Sequence, residues 1–199
     1  MNKKILLLAT LTLFGFPLVG WAIAWLVGGP SLLEIFGLQQ PLLLQLVIGI
    51  AIGFIAGWLA WQLIRQPFMD PVRHKYGDTL GAFKLNRFQI VYISLCAGIG
   101  EEILFRGIIQ PHIGIWLTSI LFVAIHGYLN PMNGRLFIYG IYMTLVIAVI
   151  GYFAETIGLY SAMAAHTVID IILLHYMTKP ILHETIHLEN SFQGEKGPE

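Results

Sequence analysis

The sequence predicts an all-α fold: a polytopic transmembrane helical bundle of about six spans that encloses a polar intramembrane cavity. Three observations carry that reading. First, 57% of the 199 residues are hydrophobic and only 11% are charged, too few charges to cover a water-soluble domain of this length. Second, apolar runs recur along the whole chain, most of them near the roughly 20 residues that a spanning helix requires. Third, several ionisable residues lie inside those runs, where a charge is costly and usually faces the bundle interior with a function attached.

The runs fall at 5–27, 41–64, 88–110, 115–129, 136–154 and 159–177. The first follows Lys3 and Lys4 and passes Ala22-Ile23-Ala24, a pattern shared with secretory signals. Its apolar region continues through Val27, longer than a signal core, and reads as an uncleaved span. Pro17 within it predicts a kink of the kind membrane helices tolerate. The second run places Gly49, Gly53 and Gly57 on one face, which permits close helix approach, read here as packing within the chain. Residues 65–87 form a long loop of mixed charge at the membrane interface. The third run holds Cys96 as a buried structural thiol, since nothing near it in sequence would activate it. The fourth run is short.

Charge placement predicts the orientation. With the N-terminus in the cytoplasm, six spans leave Lys3, Lys4, Arg65, Arg73, Lys75, Lys84, Arg87, Arg135, Lys179 and Lys196 inside. The outer connections carry no Lys or Arg, so the positive-inside rule predicts N-in and C-in. Residues 1–87 form two spans and a cytoplasmic loop, 88–178 a four-span core of the same membrane domain, and 179–199 a polar tail. The expected location is the cell membrane, as a multi-pass protein with lipid as its surroundings. Zero net charge without a basic, aromatic-rich patch argues against nucleic acid as a partner.

The third span carries Glu101, Glu102 and Arg106, and the sixth carries His166 and Asp170. Glu102 and Arg106 share a helix face and can pair, whereas Glu101 points about 100° away. One carboxylate is thus held by a cation while the other stays free to act as a base. If the third and fourth spans form a hairpin about Pro111–Gly114, Glu101 and His126 lie at nearly equal depth on either side of the turn. A carboxylate and an imidazole meeting there can position and deprotonate a water, with Phe122 one turn before His126 on the same face. His166 and Asp170 also share a face, although His166 lies only about seven residues from its own outer turn, a depth that does not match Glu101.

These segments, Glu101-Glu102-Ile103-Leu104-Phe105-Arg106, Phe122-Val123-Ala124-Ile125-His126 and His166-Thr167-Val168-Ile169-Asp170, resemble the EExxxR, FxxxH and HxxxN/D motifs of the CPBP family. These are the CAAX-protease and bacteriocin-processing (Abi) intramembrane proteases, which include the type II CAAX prenyl endopeptidases. The resemblance covers roughly 88–177. It implies an intramembrane endopeptidase acting on a membrane-associated or prenylated peptide, with Glu101 and His126 activating the water and Glu102 with Arg106 as the supporting ion pair. It also implies that His166 and residue 170 stabilise the oxyanion. Asp170 stands where the prenyl endopeptidases typically carry Asn, and an ionised Asp donates no hydrogen bond; either it is protonated or it orients His166.

Two histidines and two or three carboxylates also offer a zinc set, in which Glu101, His126 and His166 would be the ligands. The resemblance implies a glutamate-dependent mechanism with no obligatory cofactor, so zinc stays an option beside it. A second metal-like pattern, His183-Glu184-Thr185-Ile186-His187, fits HExxH but sits in the polar tail and reads as a solvated end. Two other classes remain open: a non-enzymatic membrane binding or bacteriocin-immunity protein, and a proton-coupled transporter using the same residues as a relay. The transporter class favours internal repeats, which the sequence does not display.

Overall fold

In a computed structural model of the chain, residues 2–36 and 39–179 are described. Among them every regular element is helical. Helix α1 (Asn2–Val27) is followed by the one-turn α2 (Leu32–Ile35), α3 (Leu42–Ile64), the short α4 (Asp70–Gly81) and α5 (Arg87–Glu102). A π-helical segment (Ile103–Ile109) joins α5 to α6 (Gln110–Ile125); α7 (Gly134–Thr156) and α8 (Leu159–Met177) complete the bundle. Among the described residues five stretches are long and apolar enough to cross a bilayer: Lys3–Val27, Leu42–Ile64, Arg87–Ile125, Gly134–Thr156 and Leu159–Met177. The protein is a multi-pass membrane protein.

The third and fourth predicted spans are one continuous helical stretch bent back on itself. The break is at Gly114, whose φ of 77° belongs to the left-handed region that glycine enters without a Cβ penalty. The returning limb stops at Ile125, short of the expected boundary at 129. Residues 115–125 rise only about 16 Å, roughly half the hydrocarbon thickness, so this limb descends to the middle of the bundle rather than crossing it. A glycine cap ends it there: Gly127 has φ 77°, its N–H donates to the Ala124 carbonyl, and the Tyr128 N–H donates to that of Val123, the Schellman pattern. Non-helical backbone is tolerated at that depth where it lines a cavity.

The helices alternate in direction. Gly100 of α5 packs on Thr12 and Leu13 of α1, and Gly20 of α1 on Leu104 and Ile108, so these two run parallel. Gly49, Gly53 and Gly57 of α3 meet α8 at Ser161, Ala165 and Ile169 in the same order, a second parallel pair. A Cβ at Gly49 or Gly53 would collide with α8 backbone. The glycine face is therefore used inside the chain, as expected. Where lipid supplies no hydrophobic drive between helices, such close packing holds them together. Lys3, Arg65, Arg87, Arg135 and Lys179 consequently gather at one end of the bundle, hereafter the basic end. Glu34 and Glu155 mark the opposite, acidic end.

The loop expected at 65–87 contains α4, which lies against α8 and α3. Asp70 begins it and pairs with Arg73 at 2.6 Å, while Val72, Tyr76 and Leu80 turn inward at four-residue spacing. Cys96 is buried, as expected of a structural thiol. The HExxH pattern at 183–187 lies outside the described residues.

Candidate active site

Glu101 and Glu102 end α5 where the π segment begins. The segment's wider winding appears at its exit, where the Gln110 N–H bonds the Phe105 carbonyl five residues back, an arrangement frequent at functional sites. The two adjacent carboxylates face different partners. Glu102 is fully buried: its Oε2 lies 3.1 Å from Arg106 Nε, and its Oε1 lies 2.8 Å from His166 Nδ1. Glu101 instead aims Oε2 at His126 Nε2, 3.6 Å away, and at His166 Nε2, 4.0 Å away. Asp170 Oδ2 lies 3.6 Å from His166 Nε2. All six residues singled out by sequence therefore converge on one locus between α5, the π segment, α6 and α8.

The hydrogen bonds define what each ring can do. His126 Nδ1 lies 2.7 Å from the Phe122 carbonyl. A carbonyl only accepts, so Nδ1 carries the proton, and in the neutral ring Nε2 presents a lone pair toward Glu101. The ion-paired Glu102 carboxylate likewise accepts, so His166 Nδ1–H donates to it. His166 then donates through Nε2 only as the imidazolium, the form its neighbours Glu101 and Asp170 complement. Glu101 Oε2 has no hydrogen-bond partner among the described residues. A water donating one hydrogen to it and the other to His126 Nε2 satisfies both acceptors.

Exposure divides the group in two. The Glu102 and Arg106 side chains are 0% and 1% exposed, against 31% for His126 and 30% for Asp170. Glu102, Arg106 and His166 form the buried support; Glu101 is buried too, its side chain 12% exposed, while His126 and Asp170 face accessible space. Phe122 ties the parts together: its ring stacks on His126 at 4.5 Å, meets His166 edge-on at 5.6 Å and lies 4.9 Å beneath the Arg106 guanidinium carbon.

The depth mismatch expected for His166 does not occur. Gln110 Nε2 donates to the Gly151 carbonyl and to Glu155 Oε1, both at 2.9 Å. These bonds set the α7–α8 turn at the level of Gln110 rather than Gly114. Counted from there, Glu102 and His166 are about equally deep.

From Asp170 an apolar cavity of about 300 Å³ extends toward the basic end, bounded by Tyr76 and Leu80 of α4, Tyr128, Tyr139 and Met177. Tyr128 was not singled out by sequence; only the glycine before it signals its placement. Its ring lies 5.9 Å from that of His126 and meets Tyr139 edge-on at 5.2 Å.

Among the described residues no group of three or more His, Cys, Asp or Glu is arranged to hold a metal ion. Glu101, His126 and His166, the set zinc would use if one were bound, are not among such groups. His183 and His187 are outside the described residues.

Residues 83–172, just under half of the chain, match the family "Type II CAAX prenyl endopeptidase Rce1-like". The matched segment contains all six converging residues. An uncharacterised protein of Bacillus subtilis (strain 168), YpbD, is 35% identical over 85 residues, which are 42% of this chain and 42% of that protein. The likeness thus spans less than half the length of that relative. No solved structure matches the chain.

Proposed function

We propose that this chain, whose segment 83–172 is Rce1-like, is an intramembrane endopeptidase in which Glu101 and His126 activate the attacking water. The observation that carries this reading is Glu101 Oε2, without a hydrogen-bond partner among the described residues and 3.6 Å from His126 Nε2. A water bound between them turns its lone pairs toward a substrate carbonyl. Glu101 takes a proton as the C–O bond forms. The tetrahedral oxyanion is met by His166 Nε2–H, held in place by Glu102 through Nδ1 and by Asp170 beside Nε2. Collapse breaks the C–N bond, and Glu101 returns its proton to the leaving amine. Asp170 orients His166 in this scheme rather than donating itself, which accommodates its replacement of Asn.

The substrate is a membrane-associated peptide whose apolar side chains, or a prenyl group, enter the cavity beneath Asp170. The orientation is N-in and C-in, with the cavity toward the cytoplasm, supported by the basic residues gathered at that end. No step is routed through a metal. The test is cleavage of a panel of membrane peptides, including a prenylated C-terminal reporter, by purified protein with and without chelator. Cleavage kept in chelator and lost in His126→Ala supports the pair as drawn. Loss in chelator with recovery on added zinc moves the chemistry to a metal.

A further inference from the structure

The apolar cavity beneath Asp170 has a floor and a mouth. Ile64, Val72, Leu136, Tyr139 and Met177 line it and are buried in the core of the bundle. Tyr76 and Leu80 of α4, with Tyr128 and Asp170, line it but are only half-buried. The mouth lies beside the water-activating pair: the Tyr128 ring stacks 5.9 Å from that of His126, and Asp170 Oδ2 stands 3.6 Å from His166 Nε2. A substrate side chain next to the scissile bond enters here and ends against the buried floor.

Two helix faces set the depth. Asp170, Leu173, Leu174 and Met177 follow one another along one face of α8, a rise of about 10 Å. Val72, Tyr76 and Leu80 form the matching face of α4, which packs against α8. An apolar cavity of about 150 Å³ takes one benzene ring, so the about 300 Å³ here takes about a dozen carbon atoms. A phenylalanine or tryptophan side chain fits within that limit. A farnesyl chain of three isoprene units exceeds it, and a geranylgeranyl chain of four exceeds it further. Tyr128 and Tyr139, edge-on to each other at 5.2 Å, add a wall that favours a third ring.

The likeness to the prenyl endopeptidases does not reach most of this pocket. The matched segment, 83–172, contains Glu101, His126 and His166 but neither α4 nor Leu173, Leu174 and Met177. The wall that measures a substrate side chain therefore lies outside the shared segment.

We propose that this cavity is a specificity pocket for one large aromatic side chain of an unprenylated peptide, and that Tyr76 and Leu80 of α4 set its size. The assignment rests on the protease reading of the site and narrows its substrate.

The test is binding of membrane peptides, identical but for one position, to the full chain carrying Glu101→Gln in lipid nanodiscs, so that cleavage does not intervene. That position holds alanine, phenylalanine or farnesylcysteine. The phenylalanine peptide is expected to bind roughly 10- to 100-fold more tightly than the alanine peptide, the worth of one buried aromatic side chain. Adding Leu80→Trp should remove most of that preference while the alanine peptide binds as before, which also checks the fold. Adding Leu80→Ala should strengthen the farnesyl peptide about tenfold relative to the alanine peptide. Comparing proteins rather than peptides cancels the partition of the farnesyl chain into lipid. Tyr76→Ala serves the same purpose if Leu80→Ala folds poorly. A farnesyl peptide unmoved by the enlarging variants, or a phenylalanine preference unmoved by Leu80→Trp, would overturn the proposal. Cleavage by the wild-type chain is read separately. A phenylalanine peptide that binds with this pattern and is never cut upholds the pocket and counts against the protease reading; cleavage without the pattern does the reverse.

Discussion

Helix α8 shows two opposite faces, and they are built by opposite rules. Toward α3 it offers Ser161, Ala164 and Ala165 to the glycines of that helix, a dry contact in which backbones touch. Toward α5 it offers His166 to Glu101 and Glu102, a contact of ionisable groups, beside a close approach of Gly98 to Met163 and Thr167. In lipid neither face gains from the hydrophobic effect. The glycine face fixes the position of α8 through close packing, and the fixed helix then holds an imidazole 2.8 Å from a buried carboxylate. One face supplies rigidity, and the other spends it on geometry.

The largest effect expected on stability comes from the polar face. Arg106→Met leaves the buried Glu102 with His166 but without its guanidinium, and breaking one partner of a buried pair costs about 3–5 kcal/mol. Thermal unfolding in detergent should show a fall in Tm larger than that of any substitution on the dry face. A variant as stable as wild type would mean that the pair is not closed in the folded protein.

Next comes Gly53→Leu, which forces α3 away from Ala165 and should cost about 1–3 kcal/mol through overpacking. If the glycine face positions His166, turnover in this variant falls further than the loss of folded protein explains. Activity that tracks folded yield alone would break the link between the two faces. The smallest effect belongs to Tyr142, whose hydroxyl donates to the Ala56 carbonyl at 2.7 Å. Tyr142→Phe should cost about 1 kcal/mol and leave the rate per folded molecule unchanged.

Much of this arrangement was legible in the sequence because it depends on helical spacing. Glu102 and Arg106 four apart gave the ion pair, and counting residues on either side of the Pro111–Gly114 turn brought Glu101 to His126. Gly49, Gly53 and Gly57 gave a contact face. What escaped depends on breaks in spacing. The π segment after Glu102 leaves no mark in a 3.6-residue pattern. The level of the α7–α8 turn is set by Gln110 reaching Gly151, 41 residues away, and this made His166 look too shallow. Tyr128 and Leu129 extend the apolar run to 129, whereas the Gly127 cap ends the helix earlier. The amphipathic α4 is hidden in a segment of mixed charge, where its inward residues Val72, Tyr76 and Leu80 are few.

The division of labour between Glu101 and Glu102 is best tested by Glu101→Gln, measured for turnover and thermal stability in the same preparation. The expected result is a loss of about 10²- to 10⁴-fold in cleavage rate with a Tm much closer to wild type than that of Arg106→Met, since Glu101 meets His126 and His166 only at 3.6 and 4.0 Å. A Glu101→Gln protein that cleaves at the wild-type rate would contradict its assignment as the base, whatever its stability.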